Sequence, residues 1–444
     1  MSSFLTRCKE ARDEISKMED VLIVHHYDAD GLSSGALVAA ALEKMGKAYS
    51  RLCFRKLTQK ELGEIAQRKE KDVILADFGG SVQEELAKME KRRVVIIDHH
   101  ICEEGPILQV NPRLFGIDGS REMSGSSTAY FTFGFPELSP IGIVGAVGDV
   151  QAPLYGWNRK MLEEGIKGGF VNAYNDLCMF GRMSRPLVPF LLYSTDPFVP
   201  GLTGNEGNVL DFYNKLDIPV KDADGKWRSY MDLTEEEKLR LRSALVSYLY
   251  EKGYKRTAAS LIREVYELLT YPKGTEMRDA SEFSTLLNAC GRHNEPDVGV
   301  NVLLKVQGAY ERAEALLEHH RKMLREGVEY AQKVIVDIGP FYFVDARGVI
   351  DDGIIGVVAG MLYSTISPDK PVLAIALDAD GKIKLSSRGT RTLVENGLNL
   401  GKALEKACSG IGVGGGHDIA AGATIEADKL NIFLERFGKE MLVQ

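Results

Sequence analysis

Apolar residues in the first 150 positions come in short runs that break off into acids and imidazoles. Val21-Leu22-Ile23-Val24 leads to His26, Asp28 and Asp30, and Val73-Ile74-Leu75-Ala76 leads to Asp77. Val94-Val95-Ile96-Ile97 leads to Asp98-His99-His100, and the run from Ile141 to Val147 leads to Asp149. Runs this short, apolar at every position and rich in β-branched residues, predict strands buried on both faces of a parallel sheet. All four are read as strands. Between them the spacing turns helical. Phe4, Leu5, Cys8, Ala11, Ile15 and Met18 form one stripe over residues 4–19. Further helices are expected from about Ser33 to Met45, Gln59 to Lys69 and Gln83 to Lys91, with a short strand at Leu52 to Phe54. Strands alternating with helices predict a doubly wound α/β sheet. Ser124-Gly125-Ser126-Ser127-Thr128 caps a helix expected to reach Phe131, and its N-terminus is a natural place for a phosphate.

From about Arg159 the pattern changes. Residues 159–305 are mainly helical by composition, with a capped helix start at Asp232 to Glu237 and a turn at Asp222 to Lys226. Residues 306–333 read as a long charged helix that connects two domains. A second, smaller α/β unit is expected over 334–444. Its strands are predicted at Val334 to Ile338, Tyr342 to Val344, Val372 to Leu377 and Lys384 to Arg388, the last two joined by a hairpin turn at Asp378 to Lys382. Gly412-Val413-Gly414-Gly415-Gly416-His417 reads as a Gly-rich loop ending in an imidazole.

Bulk properties narrow the picture only a little. The 444 residues carry a net charge of −8, which argues against a protein that coats nucleic acid non-specifically. An enzyme acting on nucleic acid stays open, because bound cations and a local basic groove supply the attraction. The six cysteines are scattered with no C-x-x-C pair, which speaks against a zinc ribbon and for a reducing, cytoplasmic setting. The first residues lack the apolar core of a signal peptide, and no apolar run reaches the ~18–20 residues a membrane span needs.

The chemistry lies in the tips of the apolar runs. His26, Asp28, Asp30, Asp77, Asp98, His99, His100 and Asp149 mix hard oxygen donors with imidazole. That mixture suits Mn²⁺, and less specifically Mg²⁺, Co²⁺ or Zn²⁺. There are too many donors for one ion, and two ions about 3.5–4 Å apart would use them sensibly. A single acid at a strand end is usually a turn or cap residue. Four such tips together are hard to obtain from structural causes, because clustered acids repel one another. In the distal unit, Arg388 beside Ser386 and Ser387 is a candidate for bidentate phosphate binding. The amides around Gly415 and Gly416, with His417, form a candidate phosphate cradle; the plain alternative is a tight turn. Arg278-Asp279-Ala280 and Asn288 to His293 set polar groups among Phe283, Leu286 and Leu287, as a structural ion-pair network or as a substrate contact.

This combination resembles the four successive motifs of the DHH phosphoesterase superfamily: His26-Tyr27-Asp28-Ala29-Asp30-Gly31, then Asp77, then Asp98-His99-His100, then Asp149. Ser387-Arg388 and Gly414-Gly415-Gly416-His417 resemble its DHH-associated C-terminal domain. The resemblance implies an N-terminal parallel-sheet DHH domain (1–158), the helical insertion, the connecting helix and a smaller C-terminal α/β substrate-binding domain. His26 and Asp28 would hold one metal and Asp30, His99 and Asp149 a second, with Asp77 bridging. Asp98 would orient the neighbouring imidazoles, and His100 would approach the scissile phosphate. Ser387, Arg388, Gly415, Gly416 and His417 would bind substrate, with Arg388 and His417 reaching its phosphates. The segment Arg278 to Arg292, with Ser194-Thr195-Asp196-Pro197, further resembles archaeal RecJ-like proteins, which include a GINS-associated nuclease. The implied activity is a Mn²⁺-dependent exonuclease in DNA replication or repair, acting on single strands, 5′→3′ on DNA or on RNA. A phosphodiesterase of short oligoribonucleotides or cyclic dinucleotides is the first alternative. A scaffold for a GINS-type replication partner is the second.

Overall fold

Three of the four apolar runs form inner strands of a parallel sheet in a computed structural model of the chain, which describes residues 2–89, 92–194 and 197–443. Helix α1 (Ser2–Ser16), strand β1 (Asp20–His26), α2 (Ala29–Lys44), β2 (Ala48–Phe54), α3 (Gln59–Gln67), β3 (Asp72–Ala76), α4 (Gln83–Ala87), β4 (Arg93–Ile97) and β5 (Leu108–Val110) follow in turn. The sheet order is β2-β1-β3-β4-β5, every pair parallel. The chain steps out to β2 and then back past β1 to β3, so a crevice opens at the carboxyl ends of β1 and β3. Side chains alternate between two covered faces. Leu22, Val24, Val73, Leu75 and Ile96 pack with Leu62 and Ile65 of α3 and Leu86 of α4. Val21, Ile23, Ile74, Val95 and Ile97 pack into a larger core with α1 and α2. Helix α2 starts at Ala29, earlier than expected, because Asp28 caps it by accepting from Gly31 N–H at 3.0 Å. Asp30 thus sits in a first helical turn, not in a loop. Strand β2 runs over seven residues where three were expected. The predicted end of the helix that starts at Gln83, at Glu90 and Lys91, lies outside the described residues.

The fourth run is not a strand. After α5 (Gly125–Phe133), residues Ile141 to Val147 belong to helix α6 (Ser139–Gly148), followed by α7 (Gly156–Lys167). Pro140 occupies the first turn of α6, where its missing N–H costs nothing. Gly142, Gly145 and Gly148 recur every three residues and let α6 approach its neighbours. A Cβ at Gly145 would collide with Ser126 Oγ and with Asp30 Oδ1. Asp149 is therefore delivered by the C-cap of a buried helix.

The middle region is not purely helical either. Strand β6 (Val171–Leu177), helices α8 (Leu187–Leu192), α9 (Glu206–Lys215), α10 (Glu235–Glu251) and α11 (Lys255–Ser260), and strand β7 (Ile262–Leu268) come next. The two strands form an antiparallel ribbon in register from Val171↔Leu268 to Leu177↔Ile262. The helices between them surround a core of their own, with Phe190, Tyr213, Tyr230, Leu241 and Leu245. Helix α10 opens on a capping box of Thr234 and Glu237, as the acidic run predicts. Helices α12 (Ala280–Arg292), α13 (Pro296–Leu303) and α14 (Ala309–Val334) follow. Arg278 pairs with Glu267 at 2.8 Å, and Asp279 pairs with the buried Arg182 at 2.6 Å, so both belong to structural ion pairs. Of Ser194-Thr195-Asp196-Pro197, Thr195 and Asp196 lie outside the described residues.

The chain divides into two units, Met1–Leu317 and Glu318–Gln444, with the boundary inside α14. The second unit comprises β8 (Val336–Asp337), β9 (Tyr342–Asp345), α15 (Ile355–Met361), β10 (Val372–Leu377), β11 (Ile383–Arg388), α16 (Arg391–Glu395), α17 (Leu400–Cys408), β12 (Gly412–Gly416), β13 (Ala420–Ile425) and α18 (Leu430–Val443). Its sheet runs β12-β13-β11-β10-β9-β8 and is mixed, β9 and β10 being the parallel pair. Strand β8 keeps only two residues because α14 continues through Val334. The Gly-rich stretch is an edge strand, not a loop: Gly412 to Gly416 pair with Ile425 to Ala421. The molecule is thus α/β, with an N-terminal parallel sheet, a helical middle and a C-terminal mixed sheet. Among the described residues no helix is long and apolar enough to cross a membrane.

Candidate metal centre

The carboxyl ends of β1, β3 and β4 and the C-cap of α6 bring the predicted donors together. His26 Nδ1 lies 3.1 Å from Asp28 Oδ2 and 3.5 Å from Asp77 Oδ2. His99 Nε2 lies 3.2 Å from Asp77 Oδ1 and 3.8 Å from Asp30 Oδ2, and His99 Nδ1 is 3.8 Å from Asp149 Oδ2. Two triads result, His26–Asp28–Asp77 and Asp30–His99–Asp149, each with its donor atoms within 4.8 Å of one another. Asp77 stands between them, and His100 joins Asp77 and His99 in a third group. Asp77 itself takes a positive φ of 67°, uncommon for an aspartate, and its N–H donates to Ile97 O across the sheet.

A surrounding set of hydrogen bonds decides which atoms face inward. His99 Nδ1 donates to Gly119 O at 2.6 Å, which leaves Nε2 as the free lone pair. Asp30 accepts from Gly125 N–H at 2.7 Å and Ser126 N–H at 3.0 Å. The start of α5, a candidate phosphate site from the sequence, is thus committed to a carboxylate. Gln151 donates to Asp149 at 2.7 Å and to Gly119 O at 2.9 Å. Asp98 enters none of the donor groups. It accepts from Gly80 N–H, His99 N–H and His100 N–H, and from His100 Nδ1 at 2.8 Å. His100 is therefore pinned through Nδ1 with its other nitrogen free to face outward, and its side chain is 56% exposed. Gly119 and Gln151 are not expected from the sequence, and the amides at the start of α5, expected to face a phosphate, bind Asp30 instead. Their contribution is mostly backbone, which leaves no mark in residue type; the Ser-Gly-Ser-Ser run was the one available signal.

The electrostatics fit a cation. Burial, then Asp77 and Asp149, hold the Asp30 carboxyl well above the usual range. Burial likewise lifts Asp149 to about 6, against the pull of His99. Burial opposes the His26 and His99 imidazolium forms, yet the carboxylates beside them outweigh it and push both pKa values well up. Burial opposes the Asp77 carboxylate, yet the imidazoles of His26 and His99 beside it outweigh burial and hold its pKa down. Four carboxylates this close stabilise positive charge of whatever kind is offered. His26 Nδ1 and Asp77 Oδ1 are moreover buried polar atoms with no hydrogen-bond partner. Unpaired donors of this kind, a nitrogen and an oxygen aimed into one acidic pocket, fit divalent metal ions.

In the C-terminal unit, Gly415, Gly416 and His417 line a cavity of about 410 Å³ together with Asn399, Lys402 and Asp418. Ser387, Ala421 and Gly416 fall in one row across β11, β13 and β12. The Ser387 hydroxyl is buried and donates to Val372 O, and Arg388 Nη1 donates to Ser387 O at 2.8 Å. A Cβ at Gly356 of α15 would collide with the Arg388 guanidinium, so these two elements pack in close contact.

With this geometry in place, family models match three segments: the DHH family N-terminal domain at residues 20–136, the DHH-CID domain at 179–262 and the DHHA1 domain at 339–441. An uncharacterised protein of Methanocaldococcus jannaschii is 31% identical over 430 residues, covering 94% of this chain and 92% of that one. The single-stranded-DNA-specific exonuclease RecJ of Escherichia coli is 30% identical over 168 residues, 34% of this chain but 28% of that protein. The fold is similar to that of Thermus thermophilus RecJ in complex with Mn²⁺, with a TM-score of 0.62 at 16% identity over all of this chain and 55% of that one. It is equally similar to CDC45 from Entamoeba histolytica, with a TM-score of 0.62 at 13% identity and 99% of each chain covered. The chain thus spans about half of the Thermus RecJ.

Proposed function

Because the chain is a RecJ-like member of the DHH superfamily, we propose that it is a divalent-metal-dependent phosphodiesterase that removes nucleotides from an end of single-stranded nucleic acid. The observation that carries the reading is the pair of donor triads meeting at Asp77. His26 and Asp28 would hold one ion and Asp30, His99 and Asp149 another, with Asp77 placed between the two triads. Mn²⁺ is the preferred ion, with Mg²⁺ or Co²⁺ as alternatives. Bound there, divalent ions would lower the pKa of water and offset charge on the phosphoryl group.

The remaining chemistry falls to the chain. The hydrogen bond that His100 donates to Asp98 holds the His100 pKa above its ordinary value, against partial burial. His100 presents a proton to the phosphate, stabilising charge or assisting the leaving group. Ser387, Arg388, Gly415, Gly416 and His417 bind the substrate's phosphates. Action 5′→3′ on DNA, within replication or repair, is the finer form of the proposal.

Digestion of end-labelled DNA and RNA single strands, short and long, beside a duplex and with Mn²⁺ present, tests it. The expected result is stepwise loss from the 5′ end of single-stranded DNA, none from the duplex, and none with Asp77→Ala. Cleavage confined to few-nucleotide RNA or cyclic dinucleotides would select the small-substrate alternative. No cleavage of any substrate by metal-loaded protein would leave the scaffold for a GINS-type partner.

A further inference from the structure

Helix α12 lies outside all three segments matched by the family models, yet it touches the loop that carries the first metal donors. Asn288 Oδ1 accepts from Ala29 N–H at 3.0 Å. Three residues on, Gly291 is so near Tyr27 that a Cβ there would collide with the Tyr27 carbonyl. On the other side a Cβ at Gly148 would collide with the Ala29 methyl. The stretch from Tyr27 to Ala29 is thus held from α12 and from α6.

Ala29 is the first residue of α2, so its N–H is one of the donors that a helix start leaves without an intrahelical acceptor. The cap residue Asp28 does not serve it: Oδ1 accepts from Gly31, while Oδ2 turns toward His26 Nδ1. Ala29 is 0% exposed, so bulk solvent does not reach it. Asn288 supplies the acceptor, and only its amide oxygen can face an N–H, which fixes its orientation. The two neighbours of Ala29 in sequence are Asp28 and Asp30, one from each triad.

We propose that Asn288 is a positioning residue of the metal centre: by holding the Ala29 N–H it sets the helix start that aims Asp28 and Asp30. The assignment rests on the metal-centre reading above. Outer hydrogen-bond partners of metal ligands act in this way, and their loss typically weakens metal affinity roughly tenfold to a hundredfold.

The test is calorimetric titration of metal-stripped, full-length protein with Mn²⁺, comparing wild type, Asn288→Leu, Asn288→Asp and Asp77→Ala. Leucine removes the acceptor at similar size, and aspartate keeps it. Asn288→Leu is expected to weaken Mn²⁺ binding at least roughly tenfold, with Asn288→Asp at wild-type affinity or tighter. On a single-strand substrate, Asn288→Leu lowers kcat at limiting Mn²⁺, leaves KM unchanged, and recovers at saturating Mn²⁺. Wild-type affinity in Asn288→Leu overturns the assignment, as does equal weakening in Asn288→Asp, which would make packing the cause. If Asn288→Leu does not fold, Asn288→Ser, whose hydroxyl is too short to reach Ala29, is read the same way. Absence of Mn²⁺ binding in the wild type, or wild-type binding in Asp77→Ala, would instead remove the metal-centre reading itself.

Discussion

Asp98 and Asp77 are carboxylates at neighbouring strand tips with opposite surroundings. Asp77 keeps an oxygen without a partner, whereas Asp98 accepts three backbone N–H groups and an imidazole. Asp98→Asn should therefore separate catalysis from metal binding. We expect kcat to fall by roughly a hundredfold or more as His100 loses the negative charge that favours its protonated form, while Mn²⁺ affinity measured calorimetrically stays near wild type. A second carboxylate reports on stability. Glu70 is buried, and its hydrogen bonds from Arg68, then from Ser50, outweigh burial and lower its pKa from 4.5 to about 2. A depressed folded-state pKa adds stability above the unfolded value and loses it as pH falls through the folded one. The stability difference between wild type and Glu70→Gln in urea titrations should therefore be full above pH 4.5 and shrink to nothing near pH 2. A difference that grows with falling pH would refute this.

At the level of elements, helix α6 shows what a sequence does and does not reveal. Its apolar run was indistinguishable from a buried strand, since both are apolar on every position. Length did not arbitrate, but Pro140 in the first turn and the three-residue glycine spacing were helical signs. The carboxylate at its end was legible all the same, because strand or helix delivers Asp149 to the same pocket. The strand tips at His26, Asp77 and His99 were legible because residue type changes there from apolar to acid or imidazole within one or two positions. The ribbon β6–β7 was hidden because its strands stand far apart in sequence with a helical region between. The Gly412–Gly416 strand was hidden because glycine carries no side-chain period. The close approach of α6 makes a further prediction. Gly145→Ala drives a methyl against Ser126 and Asp30, and overpacking of this sort costs about 1–3 kcal/mol. Thermal denaturation should show that loss, and Mn²⁺ affinity should fall with it, whereas the exposed Gly204→Ala leaves affinity intact.

For the molecule as a whole, the donor groups found among the described residues all lie in the first unit. Mn²⁺ at about a hundred times its Kd should stabilise that unit by about 2.7 kcal/mol. In calorimetric scans the transition of the first unit should rise by several degrees over the EDTA-treated protein, and Asp77→Ala should show no rise. The net charge of −8 sets a further condition, for an acidic protein that holds a polyanion must concentrate its attraction locally.

The ribbon of β6 and β7 bears on history as well as on shape. The chain departs at Leu177 and re-enters at Ile262, and these two residues are ladder partners. Whatever stretch of gene encodes the intervening residues, the host chain bridges the same small gap. Such a neck lets a segment be acquired, lengthened or exchanged by recombination without shifting the register of the chain around it. One constraint travels with the exchange. Arg182, just inside the neck, is the buried partner of Asp279 at the head of α12. A replacement segment inherits the obligation to supply a cation there, so natural variation across the neck should be wide in length and narrow at that one charge.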